Sequence, residues 1–320
     1  MEITLKDILE AQKRISNYIN ITPLERTEKL KDKLDANLFL KLENLQVSGS
    51  FKTRGGFNKI LKTLEIKDKA EFVAPTAGGH GVGFSYAAKI TNTKTHILMP
   101  ESTDSSRIED IENNGANIQF FKSVDDAREE AIKLQNEEGY IYVSAYDDRE
   151  MIEGGGTIAL EILQQQPDID CVVCGVGGGG YLAGMSVVLK AANPDIQILG
   201  VQQSHGGFLA EWFKTGNYPV DFILKPSFAE GIGGIVSKDV LTWKYLKENV
   251  SDFFTVTEED IKDALIWMMD KQKHYVEPSA VVGLAGIRKY AERFSTYKNI
   301  CTVITGRNMS FSKFRTIIES

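Results

Sequence analysis

Four consecutive glycines, Gly177, Gly178, Gly179 and Gly180, interrupt "CVVCGVGGGGYLAGMSVVLK", where a strand-like run gives way to a helical one. Without Cβ atoms the chain can turn sharply there and aim its backbone N–H groups at one anion. The helix that follows adds the positive end of its dipole. A phosphate suits this arrangement. A second cluster, "APTAGGHGVGFSYAAK", also follows a strand and opens a helix. Free N–H groups near residues 77–80 can hold a smaller anion such as a carboxylate, with Thr76 as the expected helix cap. The third feature is Lys52 in "LENLQVSGSFKTRGG" (42–56), placed at the mouth of a strand–loop–helix unit beside Phe51 and three glycines.

Other chemistries fit less well. The tetraglycine stretch matches G-x-G-x-x-G through Gly175, Gly177 and Gly180, but a dinucleotide site wants an acidic residue ending the next strand. That strand, "IQILGVQQ", ends in Gln202 and Gln203. No Lys-Ser/Thr completes a nucleotide-triphosphate loop. Cys171 and Cys174 form a C-x-x-C, yet within a β-branched run rather than at a helix start, so buried strand cysteines are expected. The four histidines, at 80, 96, 205 and 274, show no metal-ligand spacing, and no metal is expected.

The elements that must position these groups alternate along the chain. "EFVAPT" precedes a helix over 80–91, "THILMP" one near 105–113, "NIQFF" one over 124–137 and "YIYVSA" one over 151–165. "DCVVCGV", "IQILGVQQ", "DFFTVT" and "ICTVIT" each precede a further helical stretch. This rhythm predicts an α/β fold with largely parallel sheets, whose crevices open at the carboxyl ends of the strands. Units over 70–143 predict a compact small domain, 61–147, joined through loops near 60–70 and 144–150. Residues 1–60 and 148–320 would form a larger, discontinuous domain. "EGIGGIVS" (230–237) reads as a loop near a site.

Of the 320 residues 42% are hydrophobic and 25% charged, and the net charge is −7 with both signs mixed throughout. That balance argues against a nucleic-acid surface or a polybasic membrane patch. No apolar run approaches the roughly 18 residues that span a bilayer. The N-terminal "MEITLKDILEAQKRI" reads as a charged amphipathic helix rather than a signal peptide, so a cytoplasmic protein is expected.

"SFKTRGG", "TAGGHG", "GVGGGG", "VEPSAVVGLAG" and "VITGRN" occur here in the order seen in threonine/serine dehydratases and serine racemases. The chain, from about 20 to 310, resembles that family of pyridoxal-phosphate enzymes. The resemblance implies two open parallel-sheet domains of the tryptophan-synthase-β kind with pyridoxal 5'-phosphate between them. On it, Lys52 bonds the cofactor aldehyde and serves as general base, which asks for an amine that can be neutral in a sheltered site. Phe51 flanks the cofactor, Gly177 to Gly180 take its phosphate, Thr305 faces the pyridine nitrogen and Glu277 supports the site. Thr76, Ala77, Gly78, Gly79 and His80 hold the substrate carboxylate. The implied reaction is loss of water and ammonia from a β-hydroxy amino acid, by default L-threonine or L-serine, to give a 2-oxo acid. A homodimer or homotetramer is the implied assembly.

Departures from the family qualify this. Its carboxylate loop usually reads Ser-x-Gly-Asn-His, so Gly79 stands where an asparagine would bond the cofactor, a loss of about 1 kcal/mol that also leaves space. With Gly81 and Val82 it suggests an altered pocket, which admits 3-hydroxyaspartate or phenylserine as substrates. Ala77 replaces the serine that racemases use as a second base, so racemisation is not the expected main activity. The acidic pair that holds a divalent ion in racemases aligns with Gln202 and Phe208. Arg307 replaces a glycine and reads as surface charge. The motifs end close to residue 320, leaving no room there for a regulatory domain, and feedback inhibition is not expected. Two alternatives stand: a β-replacement synthase of the cysteine-synthase kind, and a non-catalytic amino-acid-binding protein of the same fold.

Overall fold

A computed structural model describes residues 2–320, and its strands form two sheets. The larger contains β1 (Leu24–Thr27), β2 (Asn37–Lys41), β7 (Cys171–Gly175), β8 (Gln197–Gln203), β9 (Asp252–Val256) and β10 (Asn299–Val303), in the order β1-β2-β10-β7-β8-β9. The smaller contains β3 (Glu71–Pro75), β4 (Lys94–Pro100), β5 (Asn117–Phe121) and β6 (Ile141–Tyr142), in the order β5-β4-β3-β6. Every pairing is parallel except β1 on β2.

Helices connect the strands. Those before and around the small sheet are α1 (Leu5–Ile15), α2 (Lys52–Leu64), α3 (Gly79–Ile90), α4 (Ser105–Asn113) and α5 (Val124–Glu138). Then follow α6 (Arg149–Gln165), α7 (Gly180–Ala192), α8 (Phe208–Thr215), α9 (Leu241–Asn249), α10 (Glu258–Trp267), α11 (Val282–Lys289) and α12 (Phe311–Glu319). None among the described residues is long and apolar enough to cross a membrane.

The central strand β7 shows why its sequence is an unbroken apolar run. Cys171 and Val173 enter the core on one face, with Val282, Leu284 and Ile300, while Val172 and Cys174 enter the core on the other, with Leu182, Met185 and Ile198. A parallel strand covered on both faces has no solvent side to alternate with. Cys171, Cys174 and Cys301 are free and buried, and burial pushes all three thiols up, Cys174 to about 12.

Some boundaries differ from expectation. Helix α2 continues to Leu64, so the predicted loop over 60–70 narrows to residues 65–70. Phe57 and Ile60 are buried and Leu61 and Leu64 pack against the same core, a helical spacing with no breaker. Helix α6 starts at Arg149 rather than 151, because the Asp148 carboxylate accepts the Met151 N–H and caps it. "YIYVSA" contributes only Ile141–Tyr142 as strand.

Candidate active site

The segments that follow β2, β3, β7 and β10 meet in a cavity of about 380 Å³, within the range of small-molecule sites. Its walls include Phe51, Lys52, Thr76, Ala77, Gly78, Gly79, His80, Gly177, Gly178, Gly179, Gly180, Glu277 and Thr305. The residues that the sequence assigns to the lysine, phosphate and carboxylate sites are therefore brought to one place. The loop 230–237 also reaches it, through Glu230, Gly231, Ile232, Gly233, Ile235 and Ser237.

Lys52 is the first residue of α2. Its backbone N–H donates to Ser50 Oγ (3.2 Å) and its Nζ to the Ala145 carbonyl (3.2 Å), with the ammonium 5.0 Å from the Phe51 ring centre. Phe51 packs on Tyr181, ring centres 4.8 Å apart, and its N–H donates to Thr305 O (3.2 Å), tying the lysine loop to the end of β10. Burial pulls Lys52 down to about 8, and the Glu277 carboxylate only partly offsets this. A minor but appreciable share of the amine is thus neutral near physiological pH, far more than for a solvated lysine.

The tetraglycine loop turns through Gly179, at φ +88°, a conformation L side chains rarely adopt. A Cβ on Gly178 would lie 2.3 Å from the Tyr146 ring, and one on Gly177 2.8 Å from Gly231 O. The Thr242 hydroxyl donates to Gly178 O (2.8 Å) and Gln202 Nε2 to Val176 O (3.1 Å), which braces the loop. The opening N–H groups of α7 have no partner within the helix.

The second loop differs from expectation in one respect. Thr76 Oγ accepts the Gly78 N–H (3.0 Å), closing a turn, and the capping position of α3 belongs to Gly78. Helix α3 begins too late for the Thr76 hydroxyl to reach its first turn. His80 is buried and packs on Phe84 at 5.8 Å; burial and the charge of Lys52 pull it down to about 3, so its ring is neutral. A Cβ on Gly79 would meet only Ser50 Oγ, at 4.0 Å. The space expected there is present. Gly81 and Val82, by contrast, do not line the cavity: a Cβ on Gly81 would lie 2.9 Å from both Ile111 and Thr76, and Val82 belongs to the core.

These contrasts give a testable difference. Gly79→Asn is expected to fold with a melting temperature within about 2 °C of the wild type, since surface-like substitutions with room cost little. Gly178→Ala is expected to displace Tyr146 and weaken pyridoxal-phosphate retention at least about tenfold. Equilibrium dialysis of the cofactor, beside thermal melts, checks both.

Sequence reading did not find Arg107, Tyr146 or Ser279 at this site. Arg107, on α4, is buried; Nη2 pairs with Glu277 Oε2 (3.0 Å) and Nη1 with Glu230 Oε2 (3.2 Å). Its Nε donates to Asn308 O (2.9 Å) and Nη1 to Ala77 O (3.4 Å). "SSRIEDIEN" reads as a charged surface helix, and nothing local separates this arginine from a solvated one. Ser279 Oγ accepts the Gly231 N–H (2.9 Å) and fixes the 230–237 loop. Arg307 is exposed and does not line the cavity. Gln202 also accepts the Ala210 N–H (2.8 Å), and Phe208 lies among Trp212, Tyr218 and Phe222. Neither position offers a carboxylate.

The residues present fit pyridoxal phosphate. A glycine cradle whose contacts leave no room for Cβ atoms lines the cavity that also receives a lysine amine pulled well below its ordinary range. Thr305, two residues past β10, adds a hydroxyl at the same wall.

Comparison with known proteins agrees with this geometry. Residues 15–306 match the family model described as pyridoxal-phosphate dependent enzyme. The chain is 34% identical over 319 residues to an L-threonine ammonia-lyase of Thermotoga maritima, covering 99% of this chain and 78% of the relative. It is 29% identical over 314 residues to an L-threo-3-hydroxyaspartate ammonia-lyase of a Pseudomonas species, covering 98% of each. The fold superposes on maize serine racemase with a TM-score of 0.91 and 27% identity, covering 100% of this chain and 98% of that one.

Proposed function

We propose, from the premise that this chain belongs to the family of pyridoxal-phosphate-dependent enzymes, that it is an ammonia-lyase for a β-hydroxy amino acid, with L-threonine or L-serine as default substrate. The observation that carries this reading is the Lys52 amine, pulled down to about 8 and lining one cavity with both glycine-rich loops.

Bound, pyridoxal phosphate supplies an electron sink that makes the substrate's α-proton removable. Gly177 to Gly180 and the start of α7 hold its phosphate. Phe51 covers one side, and Thr305 offers a neutral hydroxyl to the ring nitrogen. The backbone from Thr76 to His80 holds the α-carboxylate through the N–H groups that open α3. Lys52 takes the α-proton on Nζ, and the β-hydroxyl departs to give water. Hydrolysis then leaves a 2-oxo acid and ammonia. His80, pulled down to about 3 and so neutral near physiological pH, adds no positive charge beside Lys52 or the substrate amine. Ala77 has no group to deliver a proton to the opposite face, which favours elimination over racemisation.

A second reading is an acidic substrate such as 3-hydroxyaspartate, favoured by the Arg128 guanidinium at the cavity wall. The same proposal divides the chain into a large unit, 1–60 with 148–320, and a small mobile unit, 61–147. It also takes the enzyme to be a cytoplasmic homodimer or homotetramer, an assembly that light scattering on the eluted protein would test.

The test is to incubate the enzyme with L-threonine, L-serine and L-threo-3-hydroxyaspartate, with no other nucleophile, and to assay 2-oxo acid and ammonia. Equal amounts of both from at least one substrate are expected. Product only on addition of sulfide or a thiol would mean β-replacement, and a spectral change without product would mean a binding protein.

A further inference from the structure

The cavity holds a chain of charges that the reaction as described does not use. Lys313 pairs with Glu230 Oε1, Arg107 with Glu230 Oε2, and Arg107 again with Glu277, whose carboxylate in turn attracts Lys52. Along it the exposure falls: Glu230 is exposed, whereas Arg107 and Glu277 are buried. Arg107 sits on α4, which packs beside α3 and β5 of the small sheet. Its acceptors Asn308 O, Glu277 and Glu230 all belong to loops around the large sheet. Glu277 is held from the other side: its N–H donates to Gly306 O (3.1 Å), and its Oε1 lies where a Cβ on Gly306 would be, 2.3 Å away.

We propose that Arg107 is a positioning residue that couples contact between the two sheet units to the amine of Lys52, by holding the Glu277 carboxylate between them. This rests on the reading of Lys52 as the reactive amine. With α4 docked, Glu277 is committed to Arg107 and gives Lys52 only part of its charge. With Arg107 withdrawn or removed, the cluster around Glu277 loses a positive charge, which favours the protonated form of Lys52. The other charged or titratable groups facing this pair are Glu230 from the 230–237 loop and His80 from α3, which is neutral. Asp104 on the α4 side and Tyr275 lie further out. Lys313, the cation at the outer end of the chain, pairs with Glu230 rather than with Glu277. The unit that carries the carboxylate-binding loop thereby also sets the state of the base, so proton abstraction is confined to the closed cleft.

The test uses the full-length chain freed of pyridoxal phosphate. Cyanate labelling of Lys52 is followed by mass spectrometry across pH, beside kcat against pH for the loaded enzyme. The wild-type labelling midpoint is expected near 8. Arg107→Gln should raise it by about one unit, slowing labelling near neutral pH about tenfold, and should move the kcat profile the same way. Arg107→Lys should return most of the shift. In a Glu277→Gln background, Arg107→Gln should move nothing. An unchanged midpoint in folded Arg107→Gln, or a shift that persists without Glu277, would overturn the coupling. Should Arg107→Gln fail to fold, Glu277→Gln decides: the midpoint must fall below the wild type's, and one that stays or rises refutes the proposal. Absence of elimination products from the wild type would count against the proposed function alone, because the labelling midpoints stand without it.

Discussion

Lys52→Ala is expected to lower kcat for 2-oxo acid formation by roughly a thousand- to ten-thousand-fold or more, with the cavity otherwise intact. The amine lies at the start of α2 and no other amine lines the cavity among the described residues. Stopped assays with L-threonine or L-serine would measure the fall, and a loss below tenfold would remove Lys52 from the chemistry. The same position makes an opposite prediction for stability. An unfolded lysine stays protonated up to about 10.4, whereas the folded one gives up its proton near 8. Between those values the unfolded chain binds more protons, so stability rises with pH there, and below about 8 the whole cost of burial is felt. Lys52→Met in the cofactor-free protein should therefore be more stable near neutral pH, by on the order of 2–3 kcal/mol. That advantage should shrink as pH rises past 8, which urea midpoints at neutral and alkaline pH would show. A catalytic group held at a cost to the fold has this signature, and a merely structural lysine has the reverse.

What could be read from sequence divides along physical lines. The glycine loops and Lys52 were legible because each carries its chemistry locally: a strand, a turn and a helix start lie within a dozen residues. Unbroken apolar runs such as "CVVCGV" likewise report burial on two faces. Contacts made between distant segments left no such trace. Arg107 reaches Glu277 across 170 positions, from a helix whose neighbours are mostly charged or polar. Tyr146 fell in an expected loop, and only the cradle geometry shows its ring lying against Gly178. The antiparallel β1 is four residues with two exposed positions, too short and polar to signal a strand. Thr76 closes a turn rather than capping α3, because a hydroxyl two residues before Gly78 can do either.

Arg54→Ala is expected to be the most damaging single change to stability in the Lys52 loop, and it follows from residues that the motif hid. "KLEN" and "FKTRGG" read as a cofactor loop, yet Lys41, Glu43 and Arg54 turn inward and are buried, Arg54 and Lys41 at 0% exposure. Arg54 forks onto Glu43 through Nε and Nη2 (both 2.8 Å), and its Nη1 donates to Glu161 (2.7 Å) and Thr157 (3.2 Å) of α6. Lys41 completes the cluster on Glu161 (2.6 Å) and Thr22 O (2.7 Å). Losing one ion of such a group strands the others, at about 3–5 kcal/mol. Glu43 keeps only the more distant Lys41 as a cation and the Thr22 hydroxyl, which is too little for a fully buried carboxylate. The sign with pH distinguishes this from simple loss of packing. In the wild type Arg54 holds Glu43 below the usual carboxylate range despite burial. That stabilisation is complete above about pH 4.3 and fades as pH falls through the folded value. In Arg54→Ala the same carboxyl is pushed up and takes a proton on mild acidification. The difference in melting temperature, roughly 5–8 °C near neutral pH, should therefore narrow as pH is lowered towards 5. A difference that stays constant would assign the loss to the vacated volume. Because this cluster clamps the loop ends on either side of Ser50, Phe51 and Lys52, the variant should also retain pyridoxal phosphate less well at temperatures where it is still folded. The loop that presents the amine is held by charges that never meet the substrate.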